Sequence, residues 1–526
     1  MDPEKQAPVT TLAAAPGPTP IHDAQNTPLD SATMASLGKL QQLPRNFSFW
    51  TMLGLTASMM CTWEAVFFAN STAMLNGGPV TLVYGFIVAW MGALATAASL
   101  GEMGSIWPTS GGQYHWTAQL APPGQKAFLS WFCGWIATLG WIANTAAGAF
   151  FAATMIQGIL VQNNPDYGYQ RWHGTLLIWA VMLIVFLVNG VGTKLLSIAE
   201  GFILVLHLSA FLAVLVPLLY FSPKGSARDV FATFTNNGGW SSDGLSWFIG
   251  FSLSANLPLI GYDGPAHLAE EIRNASTVVP WCMICTVLLN GVLGFAIVVA
   301  FSFCIVPTIE DALTSPTGYD FIEVFYNAMG TAGTAGMTAV LIILMWCATF
   351  GFLATASRQT WAFARDQGLP FSTYFAQVNK RLALPLRAIV LCSIIPCLIG
   401  LINIGSTAAF NAIVSLTEAG LYISYLIPII LIMIKKIKGE HIPYGPWSMG
   451  SYGVLVNGFS VVFLTISVFF SFFPPAIPVT PVTMNWSIAV FGGFVILGFI
   501  WYAVLGRRQY HGPIVERPSS VIDEQK

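Results

Sequence analysis

Residues 254–265 read SANLPLIGYDGP, in the middle of an apolar segment that extends over residues 244–272. Each of the two prolines removes a backbone donor and clashes with the preceding turn of a helix. The two glycines weaken a helix further because they add conformational freedom to the unfolded backbone. The sequence therefore predicts an apolar helix that is interrupted near its middle, where N–H and C=O groups are left without helical partners.

A second apolar segment, at residues 49–75, contains the sequence MMCTWEA at residues 59–65. It places a carboxylate, Glu64, near the middle of the segment. Counted along the chain, these are the first and sixth apolar segments, which are corresponding members of two five-helix halves. Paired interruptions in matching positions are typical of a transporter built from an inverted repeat. The alternative is a proline kink in an ordinary helix bundle.

The composition requires lipid as the solvent. Hydrophobic residues make up 55% of the 526 residues and charged residues 8%, whereas a soluble protein carries about 25% charged residues. A membrane-spanning helix needs about 20 mostly apolar residues. Apolar runs of suitable length occur at 49–75, 79–100, 127–161, 174–190, 195–221, 244–272, 281–306, 334–357, 387–404, 411–434, 451–473 and 486–506.

We therefore predict an all-α membrane protein with twelve transmembrane helices, numbered here in chain order. Ten of them form a five-plus-five inverted repeat with broken helices 1 and 6, and two extra helices follow. The Pro- and Ala-rich segment 1–45 is predicted to be a disordered cytoplasmic tail. Residues 46–506 form the transporter domain, and residues 507–526 form a cytoplasmic C-terminal tail.

The basic residues indicate the orientation in the bilayer. With twelve spans, 18 of the 21 Lys and Arg residues fall on the side of the termini, and only Arg171, Lys224 and Arg228 fall on the other. Positive charge is enriched in cytoplasmic loops, so both termini are expected in the cytoplasm. The net charge of −2 argues against a nucleic-acid partner, which would need a basic surface.

Ionisable groups at membrane depth are costly and need a reason. Glu64 and Asp263 lie in the predicted interruptions, where a carboxylate could bind a substrate ammonium. His207, in helix 5, is either a satisfied core residue or a proton carrier, since its ordinary pKa is about 6.5. Glu418, in helix 10, could contact substrate, bind a proton or serve as a paired structural charge.

Three sequence motifs follow helix 2, occupy helix 6 with its loop, and follow helix 8. They read GEM at 101–103 with WPTSGGQYHW at 107–116, GYDGPAHLAEEIRNA at 261–275, and SRQ at 357–359 with AFARDQGLP at 362–370. These motifs resemble those of amino acid permeases in the amino acid–polyamine–organocation superfamily, and their details are most similar to the fungal amino acid/choline transporter branch.

The resemblance implies a substrate bound at the breaks of helices 1 and 6, and transport that is driven by protons or another gradient without a cofactor. The substrate-binding candidates are Cys61, Thr62, Trp63, Glu64, Ala65, Asn144, Leu259, Ile260, Gly261, Tyr262, Asp263 and Glu418. The candidates for proton coupling are His207 and Glu64. Several proton-coupled relatives carry a Lys where this chain has His207, so the titratable group is kept but its type differs.

Helix 1 departs from the family pattern. Relatives carry a Gly-Ser-Gly turn whose backbone N–H groups bind a substrate carboxylate, and this chain has Trp63-Glu64-Ala65 in that place. Two carboxylates side by side repel each other unless a proton or cation intervenes. The departure favours a substrate dominated by an ammonium group, such as choline or GABA, and Trp63 and Tyr262 could add cation–π contacts.

Other functions remain as alternatives. A membrane enzyme would need a nucleophile set or a metal cluster, and the seven histidines are scattered without ligand spacing. A channel usually has a repeated filter. A nutrient sensor on a transporter scaffold and an organic-cation or polyamine exchanger both fit the same fold. We expect the plasma membrane, without excluding an internal one.

Overall fold

The computed structural model describes residues 26–164, 166–190, 193–405, 409–481 and 483–516. The described residues form helices, joined by turns and three isolated backbone bridges. Helix 1 has two halves, which we call 1a and 1b. The helices other than helix 6 have these bounds: 1a Phe49–Met60, 1b Thr62–Ala69, helix 2 Pro79–Ile106, helix 3 Lys126–Asn163, helix 4 Arg171–Gly190, helix 5 Thr193–Phe221, helix 7 Ala275–Ile305, helix 8 Asp320–Arg365, helix 9 Leu386–Gly400, helix 10 Ala409–Ile437, helix 11 Gly453–Ser471 and helix 12 Ser487–Trp501.

In the described part of the chain, 11 helices are long and apolar enough to cross a membrane. Helix 6 is absent from that count because it is divided into short pieces. It begins as the helix Asp243–Gly250, continues as a π turn over Phe251–Ala255 and a 3₁₀ turn over Leu257–Leu259, and resumes as Gly264–His267 and Ala269–Glu271. The twelve-helix prediction is confirmed, with the interruption of helix 6 in the Pro- and Gly-rich stretch.

The break in helix 1 is narrower than the sequence suggested. Only Cys61 leaves the helical conformation, with a left-handed φ of +50°. This conformation is unfavourable for a residue with a Cβ atom. The N–H of Ala65 already bonds the carbonyl oxygen of Cys61 at 2.8 Å. Trp63 and Glu64 therefore lie in the first turn of helix 1b rather than in an unwound segment.

Four helices of the first half pack against their counterparts in the second half. The contacts between helices 2 and 7, and between helices 3 and 8, are among the most extensive in the fold, and helix 4 packs against helix 9. Helix 1b lies against the 3₁₀ turn of helix 6. This pairing of helix n with helix n+5 is what an internal repeat of five helices produces.

The N-terminal segment differs from the expectation of a disordered tail. Residues 1–25 lie outside the described residues, but residues 26–45 are ordered and include the helix Pro28–Ser36, which Thr27 caps. Lys39 pairs with Asp366 at 2.6 Å, and both side chains are about 1% exposed. The segment is ordered because its charged residues find buried partners, which a composition-based prediction of disorder does not consider.

Asp366 contacts both the N-terminal segment, through Lys39, and the C-terminal segment, through Ile514. We call the face of the bundle where these three residues meet the terminal face. Besides Lys39, it accepts hydrogen bonds from the Tyr114 hydroxyl at 2.8 Å and from the backbone N–H of Ile514 at 3.0 Å. Burial raises the pKa of Asp366, but the positive charges of Lys39 and Arg365 outweigh it and lower the pKa below its ordinary value of 3.8. The carboxylate thus stays ionised at neutral pH.

Replacing Lys39 by Ala should leave the ionised Asp366 buried without its main partner. We expect the free energy of unfolding to fall by about 3–5 kcal/mol, as measured when one member of a buried ion pair is removed. The loss should shrink as the pH falls through the lowered pKa of Asp366, because the carboxyl group then becomes neutral. Thermal unfolding of the purified protein at several pH values tests this.

Lys435 provides the matched control. It pairs with Glu440 at 3.2 Å, but these side chains are 26% and 45% exposed. Water and salt screen such a pair, so Lys435→Ala should cost at most about 1 kcal/mol. Equal losses for Lys39→Ala and Lys435→Ala would contradict a structural role of the buried pair.

Candidate functional site

The two interrupted segments meet in the core of the bundle. Met59, near the end of helix 1a, packs so closely against Gly264 that a Cβ atom there would overlap the Met59 Cε atom. Gly261 has a φ of +101°, and its Cα faces the carbonyl oxygen of Met59. The hydroxyl group of Thr355 in helix 8 donates to the Met59 sulfur at 3.3 Å. Glycine is therefore needed where helix 6 passes the end of helix 1a.

Asp263 is the most connected acidic group of the interruption in helix 6, and its side chain is fully buried. It accepts hydrogen bonds from Gln113 Nε2 at 2.7 Å, Trp141 Nε1 at 3.3 Å and the Tyr425 hydroxyl at 2.5 Å. His267 Nε2 lies 3.2 Å away. Three of these groups surround Oδ2, and the Tyr425 hydroxyl bonds Oδ1.

The partners of Asp263 come from four parts of the chain. Gln113 begins the short helix Gln113–Leu120, Trp141 lies in helix 3, Tyr425 in helix 10, and His267 in helix 6 itself. Asp263 therefore connects the broken helix to its surroundings through contacts with all four of these groups. Its role in substrate binding stays a prediction.

Two of these four partners lie inside the motifs quoted above, Gln113 in the motif at 107–116 and His267 in the motif at 261–275. Trp141 and Tyr425 look like ordinary core aromatics of apolar helices. Their function as donors depends on the tertiary arrangement, which periodicity does not report.

Glu64 contacts His207 of helix 5 rather than an open space at the break. The Glu64 Oε1 and His207 Nδ1 atoms are 2.8 Å apart, and both side chains are buried. On the other side of the ring, His207 Nε2 lies 3.1 Å from the side-chain oxygen of Asn290 in helix 7. Asn290 Nδ2 donates to the carbonyl oxygen of Ala57 at 2.9 Å.

This network determines where protons can be. Because the amide nitrogen of Asn290 is used by a carbonyl group, its oxygen must accept from His207 Nε2, which therefore carries a hydrogen. The short contact between His207 Nδ1 and Glu64 Oε1 then needs one further proton, on either the ring or the carboxyl group. Without that proton, a lone pair would face a carboxylate in a buried site, which is repulsive.

Several buried polar atoms beside the two breaks have no hydrogen-bond partner among the described residues. They are Thr62 Oγ1, Trp63 Nε1, Glu64 Oε2 and Tyr262 OH. Buried polar atoms without partners are rare in folded proteins and need an explanation, such as an absent ligand or water. These four are all within the segments that the sequence predicted to bind substrate.

The other predicted residues have different surroundings. Cys61 and Ala65 flank the first turn of helix 1b, and Leu259 and Ile260 are buried in the interruption of helix 6. Asn144 follows Trp141 by one turn of helix 3 and is 7% exposed. Glu418 of helix 10 contacts helix 6, through Ser252 and Asn256, before its break.

Ion pairs attach the end of helix 6 to helix 8. Arg365 donates two hydrogen bonds to Glu270, at 2.7 and 2.9 Å. Arg358 donates to Glu271 at 2.8 Å, and all four side chains are buried. The burial of all four groups keeps these ion pairs out of solvent in this conformation.

Comparison with known proteins adds family information. Residues 47–494 match the protein family described as amino acid permease. The chain is 30% identical over 474 residues to a protein of Saccharomyces cerevisiae named choline transporter, with 89% of this chain and 83% of the relative covered. It is 29% identical over 520 residues to amino-acid permease 2 of Neurospora crassa, with 97% and 95% covered. It is also 30% identical over 499 residues to amino-acid permease BAT1 of Arabidopsis thaliana, with 91% and 95% covered.

Two tyrosines of helix 10 test the importance of the Asp263 network. Both are fully buried, but the hydroxyl group of Tyr425 bonds Asp263, whereas that of Tyr422 has no partner among the described residues. Tyr425→Phe should lower the free energy of unfolding by about 1.5–3 kcal/mol, the usual value for a hydrogen bond to a charged group. Thermal unfolding of the purified variants measures the loss.

Tyr422→Phe is the control, because it removes the same atom from the same helix without removing a hydrogen bond. It should change the free energy of unfolding by less than about 0.5 kcal/mol. If both variants were equally stable, the hydrogen bond from Tyr425 to Asp263 would not be what connects helix 6 to helix 10.

Proposed function

The chain belongs to the amino acid permease family, and on this premise we propose that it is a secondary active transporter of a small solute with a dominant ammonium group, driven by protons. Its family transports amino acids and related amines across membranes. The proposal adds the nature of the cargo and the coupling ion. It depends most on one observation, the buried contact of Glu64 with His207 beside the break in helix 1.

The residues at the breaks support an ammonium-bearing substrate. Trp63-Glu64 takes the place of the glycine turn that would otherwise present backbone N–H groups to a substrate carboxylate. Glu64 Oε2 and the Tyr262 hydroxyl are buried without partners among the described residues. They could accept hydrogen bonds from a primary ammonium group such as that of GABA, and the Glu64 carboxyl group could attract the quaternary ammonium of choline electrostatically. The name of the yeast relative, choline transporter, agrees with this class. We therefore place choline and GABA first among the substrates to test.

The Glu64–His207 contact supports proton coupling. The contact joins helix 1b to helix 5 only while a proton lies between the two side chains. A neutral His207 beside an ionised Glu64 lacks this proton. Loss of that proton would weaken the contact between the two helices. A substrate ammonium at Glu64 Oε2, the oxygen that His207 does not contact, would bind the same carboxyl group. Proton binding and substrate binding can thus be coupled through one side chain.

The distribution of basic residues supports a cytoplasmic location for the terminal face and for both termini. We propose the plasma membrane as the site of uptake. In that orientation, helix 1a leads from the cytoplasm to the break, and the first part of helix 6 leads to the break from outside.

Uptake of labelled choline, GABA, spermidine and a panel of amino acids by permease-deficient cells tests the function. We expect saturable uptake of choline or GABA that increases as the external pH falls and decreases when a protonophore is added. Accumulation of none of these solutes would contradict the proposed cargo. Uptake that is saturable but insensitive to the protonophore would contradict proton coupling.

His207→Ala tests the coupling residue. It should reduce proton-driven accumulation by about tenfold or more, while exchange of labelled for unlabelled substrate across the membrane continues. The matched control is His441→Ala, since His441 is exposed in a loop and should transport like the unmodified protein. A His207→Ala protein that retains normal accumulation would exclude His207 from coupling.

A further inference from the structure

Two buried acids occupy corresponding places in the two repeats. Glu200 lies in helix 5 and Glu418 in helix 10, and these are the fifth helices of the first and second halves. Both side chains are fully buried at membrane depth. Neither has a basic partner among the described residues, in contrast to the ion pairs of the terminal face.

Glu200 is bonded to helix 1a through a serine. Ser58 Oγ lies 3.2 Å from Glu200 Oε2 and 3.0 Å from the carbonyl oxygen of Leu55. A serine hydroxyl has one hydrogen, so it cannot donate to both oxygens at once. The other carboxyl oxygen, Oε1, has no partner within the described residues. These contacts are all satisfied if Glu200 is protonated and donates to Ser58, which then donates to Leu55.

Glu418 repeats this arrangement on helix 6. Ser252 Oγ lies 3.4 Å from Glu418 Oε1 and 3.0 Å from the carbonyl oxygen of Ser467. Asn256 Nδ2 donates to the same carboxyl oxygen at 3.2 Å. The second oxygen, Oε2, is buried without a partner in the described chain. Again a single serine hydrogen faces a backbone carbonyl and a carboxyl group.

The two serines precede the two breaks. Ser58 is three residues before Cys61, and Ser252 lies in the π turn that precedes the interrupted stretch of helix 6. Each carboxyl group therefore bonds the first part of a broken helix to the fifth helix of the same repeat. Because the repeats are inverted, helix 1a and the first part of helix 6 approach the breaks from opposite sides of the membrane.

The surroundings disfavour an ionised form of either acid. Cys347 of helix 8 is in electrostatic contact with Glu200 and also with Glu64 of helix 1b. His207, which lies on helix 5 with Glu200, is already paired with Glu64. The group in electrostatic contact with Glu418 is Tyr422 of its own helix, which also faces Tyr262 of helix 6. None of these supplies a free positive charge, and an unpaired buried carboxylate is costly.

We propose that Glu200 and Glu418 are a symmetry-related pair of proton-binding sites, each of which holds the first part of a broken helix in place while its carboxyl group is protonated. This inference rests on the proposed transport function and adds two proton sites to the one at Glu64 and His207. When water reaches one of these sites, the carboxyl O–H bond breaks and the proton passes to water. The resulting carboxylate is a buried charge without a basic partner among the described residues, and movement of that helix exposes it to water.

A proton fits these sites better than a metal cation. Each site offers one carboxyl group and one or two neutral oxygen or amide groups, whereas hard metal cations take about six or more oxygen ligands. No group of three or more His, Cys, Asp and Glu side chains suited to a metal ion occurs in the described ranges. The proton is the cation that needs only the carboxyl group and one acceptor.

Infrared spectroscopy tests the protonation without any substrate. The purified full-length protein in lipid nanodiscs at neutral pH should show the carbonyl stretch of protonated carboxyl groups. Glu200→Gln and Glu418→Gln should each remove part of this band, and the double variant should remove both parts. Glu310→Gln, at an exposed position, is the control and should leave the band unchanged. A band that neither variant reduces would overturn the proposal.

Substrate transport in proteoliposomes tests whether each acid responds to the pH on its own side of the membrane. With whichever of labelled choline or GABA the unmodified protein accumulates, the response of transport to pH on the terminal side should become at least about threefold smaller in Glu200→Gln. The response to pH on the opposite side should become smaller in Glu418→Gln. Glu200→Asp and Glu418→Asp keep a titratable group and should restore part of each response, which a merely structural role would not explain.

The outcomes separate this inference from the function on which it rests. If the unmodified protein transports neither choline nor GABA, the proposed function fails, while the infrared result still decides the protonation of the two acids. If the unmodified protein is proton-coupled and both Gln variants keep its pH response on both sides, the paired proton sites are excluded and the transporter assignment is unaffected.

Discussion

Asp263 is buried among four polar groups, and the arrangement of the bundle depends on how these groups satisfy a single carboxyl group. The four groups come from the helix Gln113–Leu120, helix 3, helix 6 and helix 10. Within a bilayer, irregular backbone is tolerated only where protein surrounds it or a cavity solvates it. The interrupted stretch of helix 6 can therefore exist because neighbouring elements supply polar groups to it, and those elements are positioned by the same contacts.

The break in helix 1 follows the same physical rule with fewer groups. One left-handed residue, Cys61, interrupts the helix, and the carboxylate that follows is neutralised by His207 at 2.8 Å. Glu64, His207 and the proton between them together form a neutral unit that the membrane interior can accommodate. A cationic substrate at Glu64 changes this balance, which explains physically why binding of an amine and binding of a proton would affect each other.

The sequence predicted what local chemistry determines. Pro258, Gly261 and Pro265 make a continuous helix 6 impossible, so its interruption was evident from the local sequence alone. The position of the break in helix 1 was harder to predict from the sequence. Cys61 has no intrinsic preference for a left-handed conformation, and the packing around it imposes that conformation. The contact between Glu64 and His207 joins residues separated by 143 positions, and the order of residues 26–45 depends on Asp366, which is more than 300 residues away in sequence. Such pairings are properties of the folded chain, and no local pattern encodes them.

The polar contacts of the bundle divide into two kinds that suit different mechanical roles. At the terminal face, Arg358 and Arg365 form ion pairs with Glu271 and Glu270, and separating such a pair leaves two buried charges, which is expensive. The contacts of Glu200 with helix 1a and of Glu418 with helix 6 are between a carboxyl group and neutral serine or asparagine groups. A neutral contact can be broken by loss of one proton to entering water, so its strength depends on pH on the side from which water enters. Segments that must move during transport are thus attached by contacts that a proton can switch, whereas segments that stay together are attached by charges that cannot be separated at low cost.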